Sequence, residues 1–283
     1  MSITDSSTRT IQLVAGSGTT TFDGINTFKL KLPASGFRTG RDEIALKNMS
    51  LFYSWPNVST MLGNNSFSYI WGGTSYPVVV ADGMWQFADI MDYLQQVMVA
   101  NGHYLKDQNG LNVYYINFVV NPVLYSLSLT VTPVPSALPA GWTNPAALPL
   151  TGLTPQLVIP QSMSKLTGFA AASYPATPQA TVYQTNSGIP QISGVTSLNV
   201  VSTIVNSSGL SLYPNTLTSF TVPSDQRAGT LIQLQPSNLD WVPVRQDTFT
   251  EIEVSIVDQL YRPVQIRDPA GFVLIMNVRR RAA

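Results

Sequence analysis

His103 is the only histidine in this chain, and there is no cysteine. A metal site built on imidazole or thiolate therefore lacks its second ligand. A Ser-His-Asp triad is arithmetically open, but no Gly-x-Ser-x-Gly elbow presents a nucleophile. His103 follows Asn101-Gly102, a helix-stop pair, and a cation there would complement the helix dipole. Acid–base chemistry could draw on Asp240, Asp247, Glu251, Glu253, Asp258 and Asp268. Glu251 and Glu253 share one strand face with Ser255, which reads as a solvated side. No Gly-rich phosphate loop or calcium loop is present; Gly16-Ser17-Gly18 and Gly72-Gly73 read as turns. The residues predict no catalytic site, no metal and no cofactor, so not an enzyme. What remains is Arg279-Arg280-Arg281 after the last apparent strand, either a solubilising end or a charge contact for nucleic acid.

The elements around these residues read as strands. Phe28, Leu30 and Leu32 alternate with Lys29 and Lys31, and Leu127, Leu129 and Val131 with Ser126, Ser128 and Thr130. Ile232 and Leu234 alternate with Gln233 and Gln235, and Ile252, Val254 and Ile256 with Glu251, Glu253 and Ser255. Phe272 to Met276 is apolar at every position, which predicts a strand covered on both faces. Further strands are expected near 10–15, 43–53, 66–71, 112–120, 196–206 and 216–222. Short strands between Gly- and Pro-rich turns favour an all-β sandwich or barrel of antiparallel sheets. One helix is expected over 86–101, with Phe87, Ile90, Met91, Leu94, Val97 and Met98 on one face, Asp82 as its cap, and a position in an inter-strand crossover.

Charge is distributed unevenly. Lys plus Arg and Asp plus Glu balance at 15 each, so no net field steers nucleic acid to the whole chain. Between Gln108 and Ser224, Lys165 is the one charged residue, where an average composition would place roughly 29. Polar residues interrupt that stretch too often for a membrane span. Its neutral hydroxyl and amide surface loses less on desolvation than a charged one, which suits contact with other protein. Seven prolines crowd 133–160 and confine that segment to loops or sheet edges. Met1 to Asp5 lacks the pattern of a secretory signal, so the Asn-x-Ser sequons at Asn48, Asn57, Asn64 and Asn206 are expected to be idle.

Several words of the sequence carry a resemblance. They are Phe52-Tyr53-Ser54-Trp55-Pro56-Asn57-Val58, Met98-Val99-Ala100-Asn101-Gly102-His103-Tyr104-Leu105, Leu239-Asp240-Trp241-Val242-Pro243-Val244, the run from Phe249 to Gln259, and Ile266-Arg267-Asp268-Pro269. Their order resembles the jelly-roll capsid proteins of virophages and the related Polinton (Maverick) elements and adintovirus-like viruses. The resemblance spans most of the chain outside the Pro-rich segment. It implies fold signatures, and no functional residue is carried over.

Such viruses build facets from trimeric double jelly rolls and close each five-fold vertex with a single-roll penton. One roll needs roughly 150–200 residues, so 283 residues fit one roll plus an insertion. The resemblance thus implies a single jelly-roll sandwich of two antiparallel sheets with one crossover helix. Residues 1–132 and 196–283 would form the barrel, and 133–195 an outward-facing β/loop insertion. The implied function is a minor capsid protein, a homopentameric penton in the virion, alongside facet or vertex-associated relatives. Its partners would be itself, the virus's major capsid protein and, through Arg279, Arg280 and Arg281 at the capsid interior, nucleic acid, with no membrane span. The alternative is a carbohydrate-binding or adhesion module with Trp71, Trp85, Trp142 and Tyr174 as stacking platforms. Only Thr143 and Asn144 flank Trp142 as polar neighbours, which weakens that reading.

Overall fold

The computed structural model describes residues 8–206, 215–222 and 227–281, and the start of the chain read for a signal lies outside them. The described chain forms two compact units: one from 1–55 with 195–283, the other from 56–194.

The first unit is wound from eight main strands, most of which alternate buried and more exposed residues along at least part of their length. They are β1 (Arg9–Val14), β2 (Thr27–Lys31), β3 (Asp42–Phe52), β4 (Ser197–Ser202), β5 (Thr216–Thr221), β6 (Leu231–Leu234), β7 (Glu251–Asp258) and β8 (Val273–Arg280). One antiparallel sheet runs β1-β8-β3-β6, and the other runs β5-β4-β7-β2 with Thr20–Phe22 added beside β2. Strand orders 1-8-3-6 and 5-4-7-2 are those of a jelly roll, in which the chain passes back and forth between two facing sheets. The expected all-β, single jelly-roll class is therefore the one observed.

Between the sheets lie Leu13, Phe28, Ile44, Met49, Leu51, Ile252, Val254, Phe272, Leu274 and Met276, all essentially without solvent contact. Phe28 and Phe272 stack at 3.6 Å between ring centroids, 7° from parallel. Strand β8 departs from expectation. Val273, Ile275 and Asn277 are only half-buried, alternating with the buried Leu274, Met276 and Val278. The stretch Val273–Met276 is apolar because the strand is central, flanked by β1 and β3, although one of its faces is only half-covered.

The roll has two distinguishable ends. At one, Asp42 of β3 lies opposite Arg280, and Val244 N–H donates to Asp42 O. Arg245 N–H donates to Ile204 O beyond the end of β4, placing that terminus at the same end. The chain leaves for the second unit after Trp55, just past the far end of β3, and re-enters before the first residue of β4. Both junctions are thus remote from the Asp42 end, the first by about 30–36 Å along the eleven-residue β3.

The second unit has its own core. A four-stranded sheet runs Ala172–Tyr174, Gln156–Ile159, Ser66–Trp71 and Thr74–Val79. A three-stranded one runs Ile116–Asn121, Ser126–Val131 and Tyr183–Asn186. Helix α1 (Phe87–Ala100) buries Phe87, Ile90, Met91, Leu94 and Met98 among them, and the short helix α2 (Gln161–Thr167) adds Met163 and Leu166. Pro77 is tolerated because Thr74–Val79 is an edge strand.

These pairings move the expected insertion boundary. Gln156–Ile159 pairs with Ser66–Trp71, and Tyr183–Asn186 pairs with Ser126–Val131. Residues 133–195 therefore cannot be separated from 56–132. The inserted unit is 56–194, and α1 belongs to it instead of crossing between strands of the roll. The cap also differs. Gln86 N–H donates to Asp89 at the start of α1, while Asp82 accepts from the backbone and hydroxyl of Thr60.

Candidate interaction surfaces

His103 sits in an aromatic cluster inside the second unit. Its ring lies parallel to Trp71 at 4.6 Å and edge-on to Tyr76 at 4.5 Å. Asn101 Nδ2–H donates to the Tyr69 hydroxyl at 3.0 Å, and that hydroxyl lies 2.8 Å from His103 Nδ1. The Tyr69 hydroxyl and His103 Nδ1 share that bond, and the imidazole tautomer decides which of them donates. Burial pulls the His103 pKa below its ordinary value and pushes Tyr69 and Tyr115 up to about 12. The expectation of a cation at the helix end is thus corrected: desolvation outweighs the dipole. Among the described residues, the side-chain partner of His103 is Tyr69 and not a serine or carboxylate.

The carboxylates build turns and ladders. Asp258 is buried and accepts from the Leu260 and Arg262 backbones and the Arg262 guanidinium, closing the turn that holds Tyr261 at positive φ. Asp247 and Asp268 accept from Thr248 and Ala270 N–H. Glu253 pairs across strands with Lys29, raising the Lys29 pKa, and Glu251 stands opposite Lys31. At Asp23, burial works to raise the pKa, but N–H bonds from Thr27, Ile25 and Asn26 prevail and lower it. Among the described residues no group of three His, Asp or Glu could hold a metal ion. Asn57 is buried and bonded to Trp85 and Ile192, so its sequon is closed in the folded chain.

The three C-terminal arginines do not form a free tail. Arg279 continues β8, donates to Glu43 through Nε at 3.1 Å and Nη2 at 2.9 Å, and lies 4.1 Å over the Trp241 ring. Arg281 approaches the other oxygen of Glu43 at 3.6 Å. Arg280 is exposed opposite Asp42, with Arg9 and Arg41 at the same end of the roll. The structure therefore brings together more basic residues than the sequence suggested, while tying Arg279 into the sheet.

The four aromatic residues considered for sugar stacking do not share a surface. Trp71 is buried against His103. Trp85 is half-buried, donates to Ala81 O and packs edge-on to Tyr93. Trp142 and Tyr174 pack against the unit's core. What sequence reading missed is an exposed apolar set at the hairpin Ile116–Asn121/Ser126–Val131, around Asn121-Pro122-Val123-Leu124-Tyr125. The available signal was a turn dipeptide, Asn-Pro, carrying apolar residues at its tip.

No protein-family model matches the chain, and no curated protein sequence matches it. Among solved structures, it is similar to the mavirus penton protein, at 8% identity and a TM-score of 0.47 over 96% of this chain and 97% of that one. It is also similar to a chain of the Sputnik virophage cryo-EM structure, at 11% identity and a TM-score of 0.38 over 96% of each. The jelly-roll assignment rests on this chain's own strand order.

Proposed function

We propose that this chain is a viral capsid structural protein, a penton that closes five-fold vertices as a homopentamer beside a major capsid protein. The observation that carries the reading is that the chain winds one jelly roll and not two. The inserted unit is built from a four-stranded, a three-stranded and a two-stranded sheet with two helices, so the double-roll plan of a facet protein is not met. The sequence resemblance to virophage and Polinton-type capsid proteins supports the same reading. In the shell, the end bearing Arg9, Arg41, Arg280 and Arg281 faces inward, where it meets nucleic acid by charge alone. The inserted unit faces outward.

Native mass measurement and negative-stain imaging of the purified chain test this. Five-fold rings are the expected result, and co-expression with the cognate major capsid protein should place them at shell vertices. Trimers would assign the chain to facets, and stable monomers absent from shells would remove the capsid reading.

A further inference from the structure

A strand at the edge of a sheet leaves a row of backbone groups without a partner. Strand β1 is such an edge: β8 pairs with it on one side, and among the described residues no strand lies along the other. Ala15 N–H donates to Phe272 O, and the register runs unbroken from Val14 opposite Val273 to Arg9 opposite Val278. Hydrogen-bonded and non-bonded pairs alternate in an antiparallel ladder, so Arg9, Ile11 and Leu13 bond to β8. The N–H and C=O groups of Thr10 and Gln12 therefore point out of the sheet edge, and both residues are exposed. At Val14 the edge closes, because its carbonyl accepts from Ser17 N–H.

A groove of about 540 Å³ runs along the same open stretch, and Ile11 of β1, Leu30 of β2, Leu32 and Phe37 give it an apolar lining. Arg9 is the charged residue in that lining. Its guanidinium is half-exposed, 4.7 Å above the Phe37 ring and 3.6 Å from the buried Asp42. Arg38, Arg41 and Arg280, all exposed, add positive charge at that end of the roll.

We propose that this edge takes up an extended segment of another protein. The segment adds to β1 as a further strand, with alternate apolar side chains in the groove and a carboxylate at the Arg9 end. Each part of the site specifies part of the occupant. The outward backbone groups of Thr10 and Gln12 need a strand, and the apolar lining needs every second side chain to be apolar. The arginines need an acid. A second copy of this chain does not supply that complement, because none of the strands at the edges of its described sheets contains Asp or Glu. Nucleic acid would meet the arginines but leave the backbone groups and the groove unused. The inference stands apart from the vertex reading, because it concerns one strand edge of a single roll.

Titrating the full chain with a labelled synthetic peptide, Glu-Val-Thr-Val-Thr-Val-Glu, tests this by fluorescence anisotropy; an acid at each end serves either strand direction. The peptide should bind, and the same peptide with Lys in place of Glu should bind several-fold more weakly. Hydrogen exchange should show the Thr10 and Gln12 amides fast in the free chain and slow with the acidic peptide, a readout that needs no variant. Gln12→Pro removes one outward N–H, a change that an edge strand tolerates, and should weaken binding roughly tenfold. Arg9→Ala should weaken the acidic peptide roughly two- to fivefold and should not weaken the Lys peptide. Thermal melting establishes that each variant is folded. Absence of binding by the acidic peptide, or binding that leaves the two amides fast, overturns the proposal. So do amides already slow in a free chain whose oligomer Gln12→Pro dissolves, which would place a second copy on the edge. Protection of the same amides by a single-stranded oligonucleotide and not by the peptide would assign the edge to nucleic acid.

Discussion

The two units solve the problem of a surface differently. The jelly roll holds 13 of the 15 Lys and Arg and 11 of the 15 Asp and Glu, many in cross-strand pairs such as Lys29–Glu253 and Arg279–Glu43. The inserted unit holds six charged residues, yet 13 of the 16 exposed large apolar residues among the described ones. A chain that is neutral in total is thus a charged scaffold carrying a neutral, apolar-surfaced unit. The lesson concerns the long charge-poor stretch. It marks mostly the inserted unit, and only its last part, in β4 and β5, belongs to the roll.

If the units are separate cores, damage to one should leave the other's melting unchanged. Phe28→Ala removes a ring fully buried between the two sheets of the roll and stacked on Phe272. It should cost the roll about 3–5 kcal/mol. Leu94→Ala, in the inserted unit, should cost that unit about 2–5 kcal/mol. Calorimetry with hydrogen exchange should show each loss confined to its own unit. A single transition that shifts for both variants would break the comparison, because the two cores would then be one cooperative body.

The next test lies inside the inserted unit. Gly168 ends α2 at φ +75, and a Cβ there would stand 2.5 Å from the Gly188 carbonyl oxygen. Gly168→Ala should destabilise this unit by about 1–3 kcal/mol from the left-handed backbone alone, with the clash added. The roll's melting should not change. A neutral result would mean that 160–194 does not belong to the core assigned to it.

The sequence made the roll legible but only part of the inserted unit: it shows α1 and the strands near 66–71, 112–120 and 126–131, and not the rest, for a physical reason. Strands of the roll alternate cleanly, as Phe28, Leu30 with Lys29, Lys31 and Ile252, Val254 with Glu251, Glu253 show, because one face meets the opposite sheet and the other water. In the inserted unit Gln156–Ile159 buries Gln156 and Leu157 together, and the strand Thr74–Val79 contains a proline, so neither shows a period. Missing these strands shifted the boundary from 56 to 133. The site fared similarly. Sequence alone placed His103 at a helix end, but its neutrality depends on Tyr69 and Trp71, more than thirty residues away.

That neutrality gives the pH dependence its sign. His103 titrates below its ordinary value when folded, so the unfolded chain takes up the proton first as pH falls through about 6.5. The inserted unit should therefore lose stability from that point down to the folded pKa, and His103→Gln should flatten the loss. Tyr69 and Tyr115, raised to about 12, act in the opposite direction. Their contribution is complete below about pH 10 and is lost as pH rises toward 12, with tyrosinate absorbance appearing late for these two. The roll contains neither group, so its transition should follow its own carboxylates instead. Equal acid sensitivity of the two units, unchanged in His103→Gln, would remove the cluster as its cause.

The smallest effects distinguish arginines that hold the roll together from one available to a partner. Arg279 makes two bonds to Glu43, which is mostly buried, and covers the Trp241 ring. Arg279→Ala should cost the roll about 1–2 kcal/mol, less than a buried charged hydrogen bond because Arg279 is 40% exposed. Arg280 lies one residue on, facing the other way and exposed, so Arg280→Ala should change stability by less than about 0.5 kcal/mol. Melting of the two variants measures this difference, and binding to a single-stranded oligonucleotide at low salt measures the other half. Arg280→Ala should weaken that binding and lower its salt slope by about one. If Arg280→Ala destabilises the roll as much as Arg279→Ala does, both arginines belong to the scaffold. The basic end would then have no charge to spare for nucleic acid at that position.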